Sequence, residues 1–155
     1  MRGKRAKVRK QNLDKKYNSA IIARIINKVM QDGKKSLAED LVYSAIEGGA
    51  GKMKVDVLDF INQSVDNVRP ALELKARRVG GSNYQVPVPV STARQEALSV
   101  RWLVDISRSK KGKTFDDILM NELINAYNGE GEAVKKKSDV EKMAEANKAF
   151  AHFRW

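Results

Sequence analysis

The chain has 155 residues, a size that suits one folding unit, and its 32% charged, 42% hydrophobic composition with three prolines is that of a globular protein. It has no cysteine for a disulfide or thiolate metal site, no apolar run near the roughly eighteen residues of a membrane span, and no apolar segment behind its basic N-terminus to make a secretory leader. These exclusions point to a cytosolic chain with no membrane partner. The net charge of +11 is concentrated in two places: residues 1–16 carry eight basic side chains against Asp14 alone, and residues 69–94 carry five against Glu73, with the remainder close to neutral. Excess charge confined to short stretches is the footprint of a phosphate-binding surface rather than of general solubilisation.

In chain order, residues 1–16 form a basic arm: Arg2, Lys4, Arg5, Lys7, Arg9, Lys10, Lys15 and Lys16 surround only Val8 and Leu13 as sizeable apolar groups, so the arm is expected to stay disordered until it meets a partner. From Ser19, Ile21, Ile22, Ile25, Ile26, Val29 and Met30 repeat at three and four residues and predict a first helix that Asp32-Gly33 stops. Ser36 with Glu39 reads as a capping box opening a second, with Leu37, Leu41, Val42, Ala45 and Ile46 as its buried face and the glycine-rich stretch Gly48 to Gly51 as a terminating loop. Asp56 caps a third, with Val57, Leu58, Ile61, Val65 and Val68 inward, and Arg69-Pro70 closes it.

The period then changes from 3.6 to 2. Residues 72–79 and 83–90 alternate on either side of Gly80-Gly81 and predict an antiparallel β-hairpin over 72–90, with Pro87 and Pro89 turning their missing donors to a free edge. Helices resume after Thr92, where Trp102 sits among core candidates, and again at Thr114 with Asp117 in the first turn; Arg108 to Lys113 is a charged loop between them. Gly129 to Gly131 separates a last helix, which starts near Glu132 or at Ser138 and reaches about Ala149. The expected architecture is mainly α, a single domain over 1–155: a basic arm, then a body of six helices over 17–155 with one projecting two-stranded hairpin.

Catalysis has little to stand on. The one histidine, His152, is three residues from the end with no cysteine to activate, and Gly33-Lys34-Lys35-Ser36 fails as a P-loop because Lys28 stands where the first glycine belongs and Lys35 where the motif requires Ser or Thr. No enzyme, no cofactor, no metal and no small-molecule substrate are expected. Phosphate contacts are better supported: the arm cations; Lys34, Lys35 and Ser36 at a helix start; Lys75, Arg77 and Arg78 beside a glycine turn; and the loop cations Lys110, Lys111 and Lys113. Tyr84 either stacks on a base or packs in the strand, and the aromatic end Phe150, Phe153 and Trp155 either folds back or is covered by another protein.

Three separated stretches carry a resemblance: Asp32-Gly-Lys-Lys-Ser36, Arg77-Arg-Val-Gly-Gly-Ser-Asn-Tyr-Gln-Val-Pro87 and Met143 to Trp155. In these the chain resembles ribosomal protein seven of the small subunit, in its bacterial or organellar branch. The resemblance implies a structural constituent of the cytoplasmic ribosome that binds small-subunit rRNA directly and nucleates assembly of the head domain. It also implies a place at the subunit interface near the decoding centre, with the hairpin tip (Gly80, Gly81, Ser82, Asn83, Tyr84) beside the exit-site tRNA and small-subunit proteins nine and eleven as neighbours. Relatives carry arginines where this chain has Ser91 and Gln95, so Arg94 and Arg101 are expected to bear the RNA contact at the hairpin base. The alternative from another class is a DNA-architectural or mRNA-regulatory binding protein, which would share the arm and the ribbon.

Overall fold

The isoleucine-rich stripe does form the first helix, α1 (Ala20–Val29): Ile22, Ala23, Ile25, Ile26 and Val29 are buried, and Ser19 Oγ accepts from the Ile22 N–H at 3.4 Å. The computed structural model describes residues 3, 6 and 12–153 of the chain. Asp32 and Gly33, at φ of 53° and 74°, turn the backbone into α2 (Lys35–Met53).

Helix α2 departs from expectation at both ends. It begins at Lys35 with no side-chain cap, so Ser36 lies inside the first turn and the capping box with Glu39 does not form. It also runs straight through Gly48, Gly49 and Gly51. A Cβ on Gly49 would lie 2.7 Å from two atoms of the Phe60 ring, and one on Gly48 would lie 2.8 Å from Met120 Sδ. Glycine serves here to bring neighbouring helices close, not to end the helix. The buried stripe is Ala38, Val42, Ala45, Ile46, Gly49 and Ala50, rotated by one residue from the Leu37–Leu41 register, which leaves Leu37 55% exposed. In α3 (Val57–Val68), capped by Asp56 through the Leu58 N–H at 2.9 Å, the buried set starts at Phe60 and leaves Leu58 37% exposed. Arg69, extended before Pro70, ends it.

Strands β1 (Leu72–Val79) and β2 (Ser82–Pro89) pair antiparallel from Val79 opposite Ser82 to Leu72 opposite Pro89. Gly80 and Gly81, at φ of 57° and 90°, supply the positive φ at both central positions that a type I′ turn requires. Counting outward from the turn, Leu74–Pro87 and Leu72–Pro89 fall on non-hydrogen-bonded pairs, so neither proline removes a ladder bond, and the Val90 N–H closes the ribbon on Ala71 O at 3.1 Å.

Three helices follow: α4 (Thr92–Ser109), α5 (Phe115–Tyr127) and α6 (Gly131–Ala146), then a 3₁₀ segment, Lys148–Phe153. The charged run is shorter than expected, because α4 continues to Ser109; Arg108 sits in its last turn and donates to the Lys28 and Val29 carbonyls at 3.0 and 2.9 Å, capping the C-terminus of α1. Helix α6 takes the earlier of its two candidate starts. The helices surround one continuous core that includes Ile22, Ile46, Phe60, Ile61, Leu103, Leu119 and Leu123, with Trp102 at its edge. The mainly α architecture with one antiparallel hairpin is the one expected. No helix among the described residues is long and apolar enough to cross a membrane.

Candidate nucleic-acid interface

The hairpin is held at its base and open at its tip. Glu141 of α6 accepts from the Ala71 N–H at 3.1 Å, and Glu73 of β1 holds Arg94 of α4 through Nε at 3.2 Å and Lys75 at 3.4 Å. Val86 and Pro87 are buried, while Ala76, Arg77, Arg78 and Gly80 to Asn83 are exposed. Residues directly opposite in an antiparallel pair share a face, so Lys75, Arg77 and Tyr84 lie on one side and Arg78 and Asn83 on the other. Neither Arg77 nor Arg78 has an ion-pair partner among the described residues. The ribbon therefore presents cations to both sides, at a turn with no Cβ to hold a sugar-phosphate backbone away.

Tyr84 is packed. Its ring lies 5.1 Å from that of Phe150 and 5.3 Å from that of Phe153, centroid to centroid, so the aromatic end folds back on the hairpin rather than on the helical core. Trp155 lies outside the described residues. His152 faces Phe153 at 4.0 Å and bonds the Ala149 carbonyl at 2.8 Å, which is a local role.

Arg94, Arg101 and Arg108 recur every seven residues and so line one stripe of α4. Of the three, Arg94 is held by Glu73 and Arg108 by α1, and Arg101 is exposed without an ion-pair partner among the described residues. The loop after α4 divides similarly. Lys111 and Lys113 are exposed and unpaired among the described residues, but Lys110 reaches Glu122 at 2.7 Å and Glu132 at 3.4 Å. Burial pulls the Lys110 ammonium down, and the two carboxylates outweigh it and hold its pKa above the usual lysine value. Lys110 is thus engaged inside the fold. Glu122, with a fully buried side chain, also accepts from the Ala133 N–H at 2.9 Å and ties α5 to the start of α6. Sequence reasoning missed this acid, although an isolated Glu between the core residues Leu119, Met120 and Leu123 is a readable signal.

Lys34, Lys35 and Ser36 are all exposed at the start of α2, and Lys35 lies 3.8 Å from Glu39. Glu39 also meets Lys15 at 3.8 Å, which places the root of the arm beside this turn. Arg2, Lys4, Arg5, Lys7, Arg9 and Lys10 lie outside the described residues. Asp14, Lys15 and Lys16, assigned to the free arm by charge alone, are docked on α2. Asp14 is 5% exposed; its carboxylate accepts from the Lys16 and Tyr17 N–H groups at 3.1 and 2.7 Å and from the Tyr43 hydroxyl. Glu47 accepts from the Tyr17 hydroxyl at 2.8 Å and pairs with Lys16. Those two bonds hold the Glu47 carboxyl below its usual pKa, while burial and the Asp14 bond push the Tyr43 hydroxyl up.

Residues 1–148 match the family described as Ribosomal protein S7p/S5e. The chain is 52% identical to the small ribosomal subunit protein uS7 of Thermosipho africanus, over all of both chains. It is 53% identical to that of Pelagibacter ubique over 90% of this chain and 89% of the relative, and 51% identical to that of Mycoplasmopsis synoviae over 99% of each. The chain therefore belongs to the ribosomal protein S7p/S5e family, a structural, non-enzymatic component of the small ribosomal subunit.

Proposed function

We propose that this chain binds small-subunit rRNA directly, nucleates the folding of the head domain, and sits at the subunit interface near the decoding centre. The basic arm, the Lys34–Ser36 turn, the hairpin cations Lys75, Arg77 and Arg78, the helix cation Arg101 and the loop cations Lys111 and Lys113 contact the backbone. The hairpin tip lies beside the exit-site tRNA, and small-subunit proteins nine and eleven are the neighbours of the helical body and aromatic end. The observation that carries this reading is the hairpin tip: Arg77 and Arg78 are exposed and unpaired among the described residues beside an open glycine turn, whereas Arg24, Lys28, Arg94 and Lys110 are held by carboxylates of other elements. Contacts of this kind read shape, since side chains do not enter the deep major groove of A-form RNA.

Hydroxyl-radical footprinting on small-subunit RNA tests the proposal. Protection confined to one junction of the head domain, lost at its hairpin-facing edge in an Arg77→Ala/Arg78→Ala chain, is the expected result. Diffuse protection, or equal affinity for duplex DNA at matched salt, refutes it.

A further inference from the structure

The arm carries one acidic residue, Asp14, and it is the only charged group of residues 12–16 that is buried. A carboxylate taken out of water needs donors, and Asp14 has three: the backbone N–H groups of Lys16 and Tyr17 and the hydroxyl of Tyr43 on α2. Its backbone is fixed as well, with its N–H on Ser19 O at 3.3 Å and its carbonyl accepting from the Asn18 N–H at 3.1 Å. The closed loop needs Asn18 at φ 51°, a left-handed conformation that asparagine tolerates better than most residues. Tyr17 and Lys16 add a second tie to α2 at Glu47, and the Tyr17 and Tyr43 rings meet edge to face at 6.2 Å. Tyr17 and Tyr43 also pack against the hydrophobic core; what the polar bonds add is the place and direction in which the chain leaves α2. That place is a cleft lined by Asn12, Leu13, Asp14, Lys35 and Glu39, next to the Lys34–Ser36 turn.

We propose that Asp14 is a positioning residue for RNA binding: a latch on Tyr43 that launches the basic arm beside the Lys34–Ser36 turn, so that the two cationic elements engage one stretch of RNA backbone. The inference rests on the reading that the arm binds RNA. Each backbone residue fixed on binding carries an entropic cost, and a latched root has part of that cost met in the free protein. Releasing residues 14–18 lowers affinity about tenfold, on the order of fixing one or two residues.

The test is a binding cycle on small-subunit RNA with full-length chains: wild type, Asp14→Ala, an arm with Arg2, Lys4, Arg5, Lys7, Arg9 and Lys10 all changed to Gln, and the combination. Neutralising the arm flattens the slope of log K against log salt by up to about four, at roughly 0.7 per phosphate contact. Asp14→Ala weakens the wild-type chain about tenfold and leaves the neutral-arm chain unchanged. Asp14→Asn, which keeps an acceptor for the Lys16 and Tyr17 N–H groups, falls between, and Tyr43→Phe reports the latch without altering residue 14. If arm neutralisation leaves slope and affinity intact, the RNA role of the arm fails and the latch with it. If neutralisation acts but Asp14→Ala and Tyr43→Phe both bind as wild type, the latch alone fails. An equal loss from Asp14→Ala in both arm backgrounds also overturns it, since the residue would then be supporting the fold or touching RNA itself.

Discussion

Three glycines on α2, within four residues of one another, should respond to alanine with different signs. All three gain helix propensity on losing the flexibility of glycine, worth roughly 0.5–1 kcal/mol each. At Gly51 nothing lies within 4 Å of the added Cβ, so the gain stands and Gly51→Ala stabilises. At Gly48 the obstacle is Met120 Sδ at 2.8 Å, the far end of a flexible side chain that can swing aside, so the gain is largely cancelled and the net is near zero. At Gly49 the Cβ would meet Cε1 and Cζ of Phe60, both at 2.7 Å. Phe60 is fully buried and leans on Tyr127 with ring centroids 5.6 Å apart, so it cannot turn away. Overpacking a filled core typically costs about 1–3 kcal/mol, which exceeds the propensity gain and leaves Gly49→Ala roughly 1–2 kcal/mol less stable. In a chain of this size that is a fall in Tm of about 2–8 °C, against a rise of about 1–4 °C for Gly51→Ala. Urea titration followed by far-ultraviolet circular dichroism measures both. If Gly49→Ala stabilises as much as Gly51→Ala, close approach of α2 and α3 is not what the glycine provides.

Removing the hairpin cations in Lys75→Ala/Arg77→Ala/Arg78→Ala should flatten the salt dependence of RNA binding by about two and leave Tm unchanged, since Arg77 and Arg78 are unpaired among the described residues and the Lys75 pair is half exposed. A large loss of stability would instead make the charges structural. Lys110→Met leaves Glu122 buried without its cation and should cost about 3 kcal/mol in urea titration, with Lys110→Met/Glu122→Gln recovering most of it because glutamine still accepts from the Ala133 N–H. Because Glu47 is held below its ordinary pKa of 4.5, its contribution to stability is present above that value and lost as pH falls through the lowered one. A Glu47→Gln chain should therefore lose less stability than wild type between neutral pH and the acid limb, read as Tm against pH; identical limbs would contradict the role of the Lys16 and Tyr17 bonds.

Much of the fold is legible locally. Ser19 and Asp56 cap the helices that their spacing suggests, and Gly80-Gly81 sets a register that places both prolines on non-bonded pairs. The failures share a cause, which is that the deciding partner is distant in sequence. Gly48 and Gly49 read as a break until Met120 and Phe60 are placed against them, and Lys110 reads as a free loop cation until Glu122 is placed beside it. Tyr84 reads as a strand aromatic that more often packs than stacks on a base, and only the fold supplies its partners, Phe150 and Phe153. Net charge per segment locates an arm but not where it detaches, because the count treats Asp14 as one compensating charge rather than as an acceptor with three donors.

That distinction bears on how a charge excess becomes a binding surface. A cation held by a carboxylate costs something to reuse, because binding phosphate exposes or reorganises its partner; an unpaired exposed cation releases only water and counterions. Arg24, Lys28, Arg94 and Lys110 are of the first kind, each at 3.2 Å or less from an acid on another element, and they hold α1 to α4, α4 to the hairpin, and the loop to α5. Arg77 and Arg78, unpaired among the described residues, are of the second kind and sit beside the exposed turn Gly80 to Asn83. The rigid base bonded through Glu73 and Glu141 matters as much as the free tip, because a two-stranded ribbon is marginal alone and would lose to entropy what its charges gained. Cutting the base with Glu73→Ala/Glu141→Ala should therefore weaken RNA binding even though it raises the net positive charge, the opposite of what electrostatics by count would give.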